Sequence, residues 1–279
     1  VRSCVVLVTL AACGKQADPP APAAAPTVTE TFSCEPQPFA MTTPLAEASG
    51  AGWITFRGKP ALFVLSDSGN DGAFAIVDPD GGDTIAQGSI GKSTHGDDYE
   101  GVTTRGGKLY AVISNGWYVR IDQDGEQFTA TVPRALGEPA QLDGKNFEGI
   151  CLDDSAQGSC IGFVASKGDG HLYCLDERDG ALHADFARSI AITSRKRVAD
   201  CAIDERGTLW VGANIHELNK LYRVDNWHEP AQARVVALDS VGVGNSEVLA
   251  VRGDTFYRMS DLDTAPSLMA KFRCKAASR

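Results

Sequence analysis

Asp98-Tyr99-Glu100-Gly101-Val102 and Asn146-Phe147-Glu148-Gly149-Ile150 share one form: polar, aromatic, Glu, Gly, β-branched. Each leads into a short strand-like run and a turn. Fainter copies stand at Ala199-Asp200-Cys201-Ala202-Ile203 and Ser246-Glu247-Val248-Leu249-Ala250, and an earlier one at Ala48-Ser49-Gly50-Ala51-Gly52. The steps from Ser49 through Glu100, Glu148 and Asp200 to Glu247 are 51, 48, 52 and 47 residues. A polar or acidic residue therefore opens an apolar run once per repeat. Periods of roughly 40–50 residues with several short strands each point to a β-propeller.

Each repeat divides into about four strand-sized runs. In the second they cover 101–104, 108–114, 117–122 and 127–132, separated by Arg105-Gly106-Gly107, Asn115-Gly116 and Asp122-Gln123-Asp124-Gly125. Asn-Gly and Asp-Gly between alternating runs are strong hairpin signals. No segment longer than about ten residues keeps a helical period. The expected fold is all-β: a β-propeller of five four-stranded antiparallel blades around a central channel, or of six if 34–44 adds strands of its own. The last repeat lacks a fourth strand after 268–272. Lending an N-terminal strand to the final blade removes an open sheet edge, and 34–39 is placed for that role.

The N-terminal stretch has a different character. Residues 1–13 join one basic residue to an apolar run and end Leu10-Ala11-Ala12-Cys13, which resembles a bacterial lipobox. Cys13 is then the lipidation site; an ordinary secretory signal is the alternative. Residues 14–33 include Pro-Pro-Ala-Pro-Ala-Ala-Ala-Pro and read as a Pro/Ala-rich tether, leaving 34–279 as the folded domain. The expected setting is the bacterial cell envelope, periplasmic or surface-exposed, with the membrane as partner through a lipid anchor. A net charge of −10 argues against nucleic-acid binding.

Six cysteines remain after Cys4 and Cys13, an even number that suits disulfides in an exported protein. Cys34 and Cys274 flank the domain and would fasten its ends. Cys151 and Cys160 fall on successive strands around a turn, which pairs them and leaves Cys174 with Cys201 by elimination. The absence of a Cys-x-x-Cys step makes a zinc ribbon improbable.

Innermost propeller strands line the channel, so Ser49, Glu100, Glu148, Asp200 and Glu247 are expected at one mouth. Carboxylates crowded about an axis either protonate or enclose a cation. A ring of hard oxygens suits Ca²⁺. The plainer reading is that these groups cap backbone N–H groups or hold channel water. The same face should gather the loops at 66–72, 114–116, 166–171, 214–220 and 260–261. Lys167, Arg197, His216 and His95 lie on or beside such loops and are the candidate catalytic residues for a bound phosphate, although polar loop residues are usual on any propeller face.

At these residues the chain resembles the SdiA-regulated family of bacterial envelope propellers and the related esterase-like, phytase-type propeller domains. The matching features include Ser66-Asp67-Ser68-Gly69, the two Glu-Gly steps, Asp200 to Asp204 with Gly207-Thr208-Leu209-Trp210-Val211, and Ser246-Glu247 before Phe256-Tyr257. The chain departs at Cys201-Ala202 and Val248-Leu249. The resemblance implies a propeller with calcium at its channel. A more distant likeness to calcium-dependent apyrases implies five blades with Ser and Glu around a central ion. The combined reading is an envelope lipoprotein that binds a divalent cation and presents its loop face to a small molecule or an envelope protein. The alternative is a metal-dependent phosphoesterase, phytase- or nucleotidase-like.

Overall fold

Each repeat of the sequence folds as one blade. The computed structural model describes residues 28–29, 32–157, 160–193, 197–215 and 218–276; Cys13, the segment 1–27 and His216 lie outside them. Blade 1 contains Ala48–Phe56, Lys59–Ser66, Ala73–Val77 and Thr84–Ser89. Blade 2 contains Tyr99–Arg105, Lys108–Ile113, Trp117–Asp124 and Gln127–Ala130. Blade 3 contains Phe147–Leu152, Gly162–Ser166, His171–Arg178 and Ala181–Ala191. Blade 4 contains Val198–Ile203, Leu209–Ile215, Leu218–Asp225 and Arg234–Ser240. Blade 5 contains Ser246–Arg252, Thr255–Ser260 and Ser267–Ala276, with Phe32–Gln37 as its outer strand. The first strand of every blade touches the first strands of both neighbours, so the five close into a ring. The protein is a five-bladed β-propeller.

Closure follows from the register of the two chain ends. Phe32–Gln37 runs antiparallel to Ser267–Ala276 with Cys34 directly opposite Cys274, and the two are disulfide-bonded. Thr42–Thr43 pairs with Ser267 and Leu268 on the same blade, so 34–44 completes the fifth blade and builds no sixth. Described residues also stand before Cys34, inside the span expected to be tether. Val28–Thr29 lies parallel beside Val236 and Ala237 of blade 4. Phe32 is buried against Trp210 and Phe256, and that apolar contact draws the segment onto the ring.

The other two disulfides differ from expectation: Cys151 pairs with Cys201, and Cys160 with Cys174. Cys151 lies on the inner strand of blade 3, where the nearest cysteine is on the inner strand of blade 4, Cα to Cα 5.5 Å. Cys160 precedes the second strand, and Ile161 N–H donates to Leu175 O, which sets Cys160 beside the third strand and Cys174. For Cys151, approach between blades thus outweighs adjacency along the hairpin.

Aromatic side chains fill the spaces between blades. Phe63, Phe74 and Phe128 cluster between blades 1 and 2, Phe163 meets Trp227 between 3 and 4, and Trp53 meets Tyr257 between 5 and 1. Near the axis there is room for no side chain at all at three positions. A Cβ on Gly50 would lie 2.5 Å from Glu100 O, one on Gly101 2.4 Å from the Cα of Gly149, and one on Gly149 2.8 Å from the Cα of Asp200. The glycine of the Glu-Gly step is therefore a requirement of inner-strand contact.

Candidate functional site at the acidic mouth

The residues that open each inner strand sit on β-bulges. Pairing with the second strand slips at Ser49, at Glu100-Gly101, at Glu148, at Ala199 and at Glu247. A bulge leaves a residue unpaired and re-aims its side chain. At three of these positions the side chain is Glu, and Glu100, Glu148 and Glu247 each offer an oxygen within 4.8 Å of the others. They come from blades 2, 3 and 5 and are 5, 3 and 3% exposed. Ser49 Oγ donates to Glu100 Oε2 at 2.5 Å, Asn146 Nδ2 to Glu148 Oε1 at 2.5 Å, and Asn214 Nδ2 to Glu247 Oε1 at 2.8 Å.

Asp200 is not with them. The bulge of blade 4 falls on Ala199, so Asp200 occupies the place that Gly101 and Gly149 hold in blades 2 and 3. A one-residue slip sends a strand side chain to the other face. Asp200 is fully buried, and its two oxygens accept from Cys201 N (2.7 Å) and Leu249 N (2.9 Å). It ties blade 4 to blade 5. Burial raises its pKa well above the usual carboxylate range, against the two amide donors.

A second tier surrounds the mouth. Ser66, Ser166 and Ser260 end the second strands of blades 1, 3 and 5, and the next residues are Asp67, Lys167 and Asp261. Their amides donate to Glu47 O (2.8 Å), Asn146 O (2.8 Å) and Asn245 O (2.9 Å), so the three occupy equivalent positions. Asp67 and Asp98 also come within 4.8 Å of Glu100 through one oxygen each. The Ser114 hydroxyl donates to Asp98. Burial and the neighbouring Asp98 and Asp261 push Asp67 up to about 7, and burial with Glu247 pushes Asp261 up to about 6.

Lys167 is the cation of this tier. Its Nζ donates to Glu148 Oε2 at 2.7 Å and to Glu247 Oε1 at 3.2 Å. Burial works against its charge, but the two carboxylates outweigh it and raise its pKa. Burial lifts Glu148 to about 8 despite Lys167, with Glu247 adding to the rise. Burial and the charges of Glu148 and Asp67 lift Glu100 well above its ordinary value. A second cation, Arg258, is buried beneath the ring on blade 5. Its Nη2 donates to Ser246 O at 3.2 Å, while Nε and Nη1 find no hydrogen-bond partner. Gly212 makes way for it, since a Cβ there would lie 2.6 Å from Nη1. Burial lowers its pKa to about 10, with the charges of Asp200 and Glu247 opposing the fall.

The remaining candidates are more peripheral. His95 is exposed and stacks on Trp117, ring centroids 3.4 Å apart. Arg197 is half-buried directly before the inner strand of blade 4. Sequence reasoning missed the contact of Asn214 with Glu247, the burial of Arg258 and a cavity of about 640 Å³ at the far end of the inner strands, lined by Trp53, Thr104, Asp153, Glu205 and Arg252 among others. It also missed a network on blade 3. Lys145 Nζ lies 2.6 Å from Asp169 Oδ2 and 2.6 Å from Tyr173 Oη, and the Tyr173 hydroxyl donates to Asp169 at 2.5 Å. Hydrogen bonds from His171, Lys145 and Tyr173 overcome burial and hold Asp169 well below the usual carboxylate range.

No protein-family model and no curated protein matches the chain. Solved structures do match in fold. A glutaminyl cyclase from Myxococcus xanthus is 13% identical with a TM-score of 0.51, covering 90% of this chain and 100% of that one. An α-L-arabinofuranosidase from Podospora anserina, solved with cellotriose, is 12% identical with a TM-score of 0.50, covering 88 and 97%. A putative 6-phosphogluconolactonase from Bacteroides fragilis is 11% identical with a TM-score of 0.48, covering 75 and 76%. What the first two share with this chain is the fold. Among the described residues no helix is long and apolar enough to cross a membrane. Three disulfides suit an extracellular or periplasmic location.

Proposed function

We propose that this propeller binds a divalent cation, Ca²⁺ foremost, at its acidic mouth and presents the surrounding loops to a ligand or envelope partner. The observation that carries the reading is the convergence of Glu100, Glu148 and Glu247, from three blades, on a space 4.8 Å across. Three buried carboxylates of one sign repel, and a cation relieves that repulsion. Ca²⁺ takes 6–8 oxygens at roughly 2.3–2.6 Å and accepts irregular geometry, which suits a site that also offers the Ser49 hydroxyl beside Glu100. Asp200 drops out of the ligand set, because its oxygens are committed to backbone amides. Lipid attachment at Cys13 belongs to the same proposal and is tested by acyl labelling of wild type against Cys13→Ser.

Ca²⁺ is expected to raise the melting temperature over that in chelator by about 5–10 °C when its concentration is about a hundredfold above Kd, a gain of about 2.7 kcal/mol. Glu148→Gln or Glu247→Gln should abolish the shift. Calorimetric titration gives the stoichiometry, expected to be one ion. Turnover of a generic phosphate ester in the same samples distinguishes a binding module, which gives none, from a metal-assisted phosphoesterase.

The carboxyl groups predict a pH profile. Glu148, near 8, Asp67, near 7, and Asp261, near 6, all sit above their unfolded values of about 4. Between those limits the folded state holds more protons than the unfolded chain, so stability falls as pH rises, by up to about 1.4 kcal/mol per pH unit for each proton. Asp169, held low, acts oppositely: its contribution is present above pH ~4 and is lost as pH falls below that. In chelator the melting temperature should peak near pH 4–5 and decline towards pH 8. Ca²⁺ should flatten the decline, and a profile that rises from pH 5 to 8 in chelator would contradict the proposed ionisation.

A further inference from the structure

The acidic mouth holds a cation of its own making. Lys167 stands at the position that blades 1 and 5 fill with Asp67 and Asp261, and its ammonium bridges two of the three converging glutamates at 2.7 and 3.2 Å. The turn that carries it, between the second and third strands of blade 3, is fastened on both sides. Ser166 Oγ donates to Lys145 O at 2.7 Å, and Gly168 N–H donates to the same carbonyl at 2.6 Å. Gly168 lies so close to its neighbours that a Cβ would fall 2.2 Å from Gly144 O. Beyond it, Asp169 is gripped by Lys145 and Tyr173. The backbone of the turn is fixed, whereas the Lys167 side chain is 34% exposed and rises towards the mouth.

We infer that Lys167 is a tethered occupant of the cation site, and that an external divalent cation enters by displacing its ammonium from Glu148 and Glu247. The inference rests on the cation-binding reading and deepens it by naming the competitor. An ion that takes oxygens from both glutamates would lie within about 4 Å of the lysine nitrogen. Like charges at that distance repel, and far more strongly at the effective dielectric of a protein surface than in water. The two cations therefore exclude one another. Displacement requires rotation of one long side chain into solvent and leaves the turn in place. The built-in ammonium also offsets part of the repulsion among the carboxylates when no ion is bound.

Calcium titration by calorimetry, at constant pH and ionic strength, is the test. Lys167→Met is expected to bind Ca²⁺ at least tenfold more tightly than wild type, and equal or weaker binding overturns the inference. Should Lys167→Met fold poorly, wild type alone supplies the second measurement: acylation of Lys167 by an amine-specific reagent, read by mass spectrometry. Its rate should rise several-fold on adding Ca²⁺, with surface lysines such as Lys108 unchanged. An unchanged or slower rate in Ca²⁺-bound protein overturns displacement while leaving cation binding intact. If neither wild type nor Lys167→Met binds Ca²⁺, the site reading and the inference fall together.

Discussion

Gly101→Ala is expected to destabilise the propeller by about 3 kcal/mol and to lower its melting temperature by roughly 6–12 °C. The added methyl would meet the Cα of Gly149 at 2.4 Å and Ile150 N at 2.6 Å, both backbone atoms of the next inner strand. Side chains can rotate out of such a clash, but two inner strands, each hydrogen-bonded into its own blade of a closed ring, cannot separate without disturbing their other neighbours. The effect should extend to the site, because Glu100 is adjacent in sequence and its distance to Glu148 is set by the same inter-strand gap. Calcium affinity, where the folded variant can be measured, should therefore fall as well. Gly81→Ala is the control. Its Cβ would meet nothing nearer than 3.7 Å, and its melting temperature should stay within about 2 °C of wild type. Equal behaviour of the two variants would show that the axial packing described above does not govern stability.

Loss of the Cys34–Cys274 disulfide is expected to have the larger effect of any cysteine replacement. The bond spans 240 residues, whereas Cys151–Cys201 spans 50 and Cys160–Cys174 spans 14. Loop-closure entropy in the unfolded chain gives about 5, 4 and 3 kcal/mol in that order. Double Cys→Ser variants unfolded in urea should follow this ranking. Cys34→Ser/Cys274→Ser should suffer further, since the strand pair Phe32–Gln37 with Ser267–Ala276 then closes the ring by hydrogen bonds and apolar contact alone. A loss at that site no greater than for Cys160→Ser/Cys174→Ser would mean that the terminal strand holds without its covalent clasp.

The propeller was legible because its two strongest signals, the Glu-Gly step and the Gly-containing turns, repeat at nearly constant spacing. The glycine is demanded by strand contact at the axis, and the glutamate beside it rides on a bulge, so one motif reports both packing and site. Blade 4 misled for the same reason. Its bulge residue is Ala199, which carries no signal, and the neighbouring Asp200 presents the acid where blades 2 and 3 have glycine. Placing the position on Ala199 turns the intervals into 51, 48, 51 and 48 residues, a regularity that could have exposed the slip. The Cys151–Cys201 bond carried a comparable clue, since its separation of 50 residues is one short of the 51-residue step from Glu148 to Ala199 and sets the two cysteines one position out of step on adjacent inner strands. Lys167 was visible as a charged loop residue, but its partners lie 19 and 80 residues away, and only the closed ring brings them to it. Arg258 reads in sequence as an ordinary strand residue; its burial depends on a missing side chain at Gly212 in another blade.

The direction of the first strand fixes an orientation. Inner strands start at the acidic mouth, so the outer strand of each four-stranded antiparallel blade runs back towards it. Val28–Thr29 lies parallel to one such outer strand, Arg234–Ser240, and therefore enters from the opposite side of the disc. Val28–Thr29 thus lies with its upstream end at the underside of the disc, beside blade 4, and the carboxylates look away from it, open to whatever diffuses past.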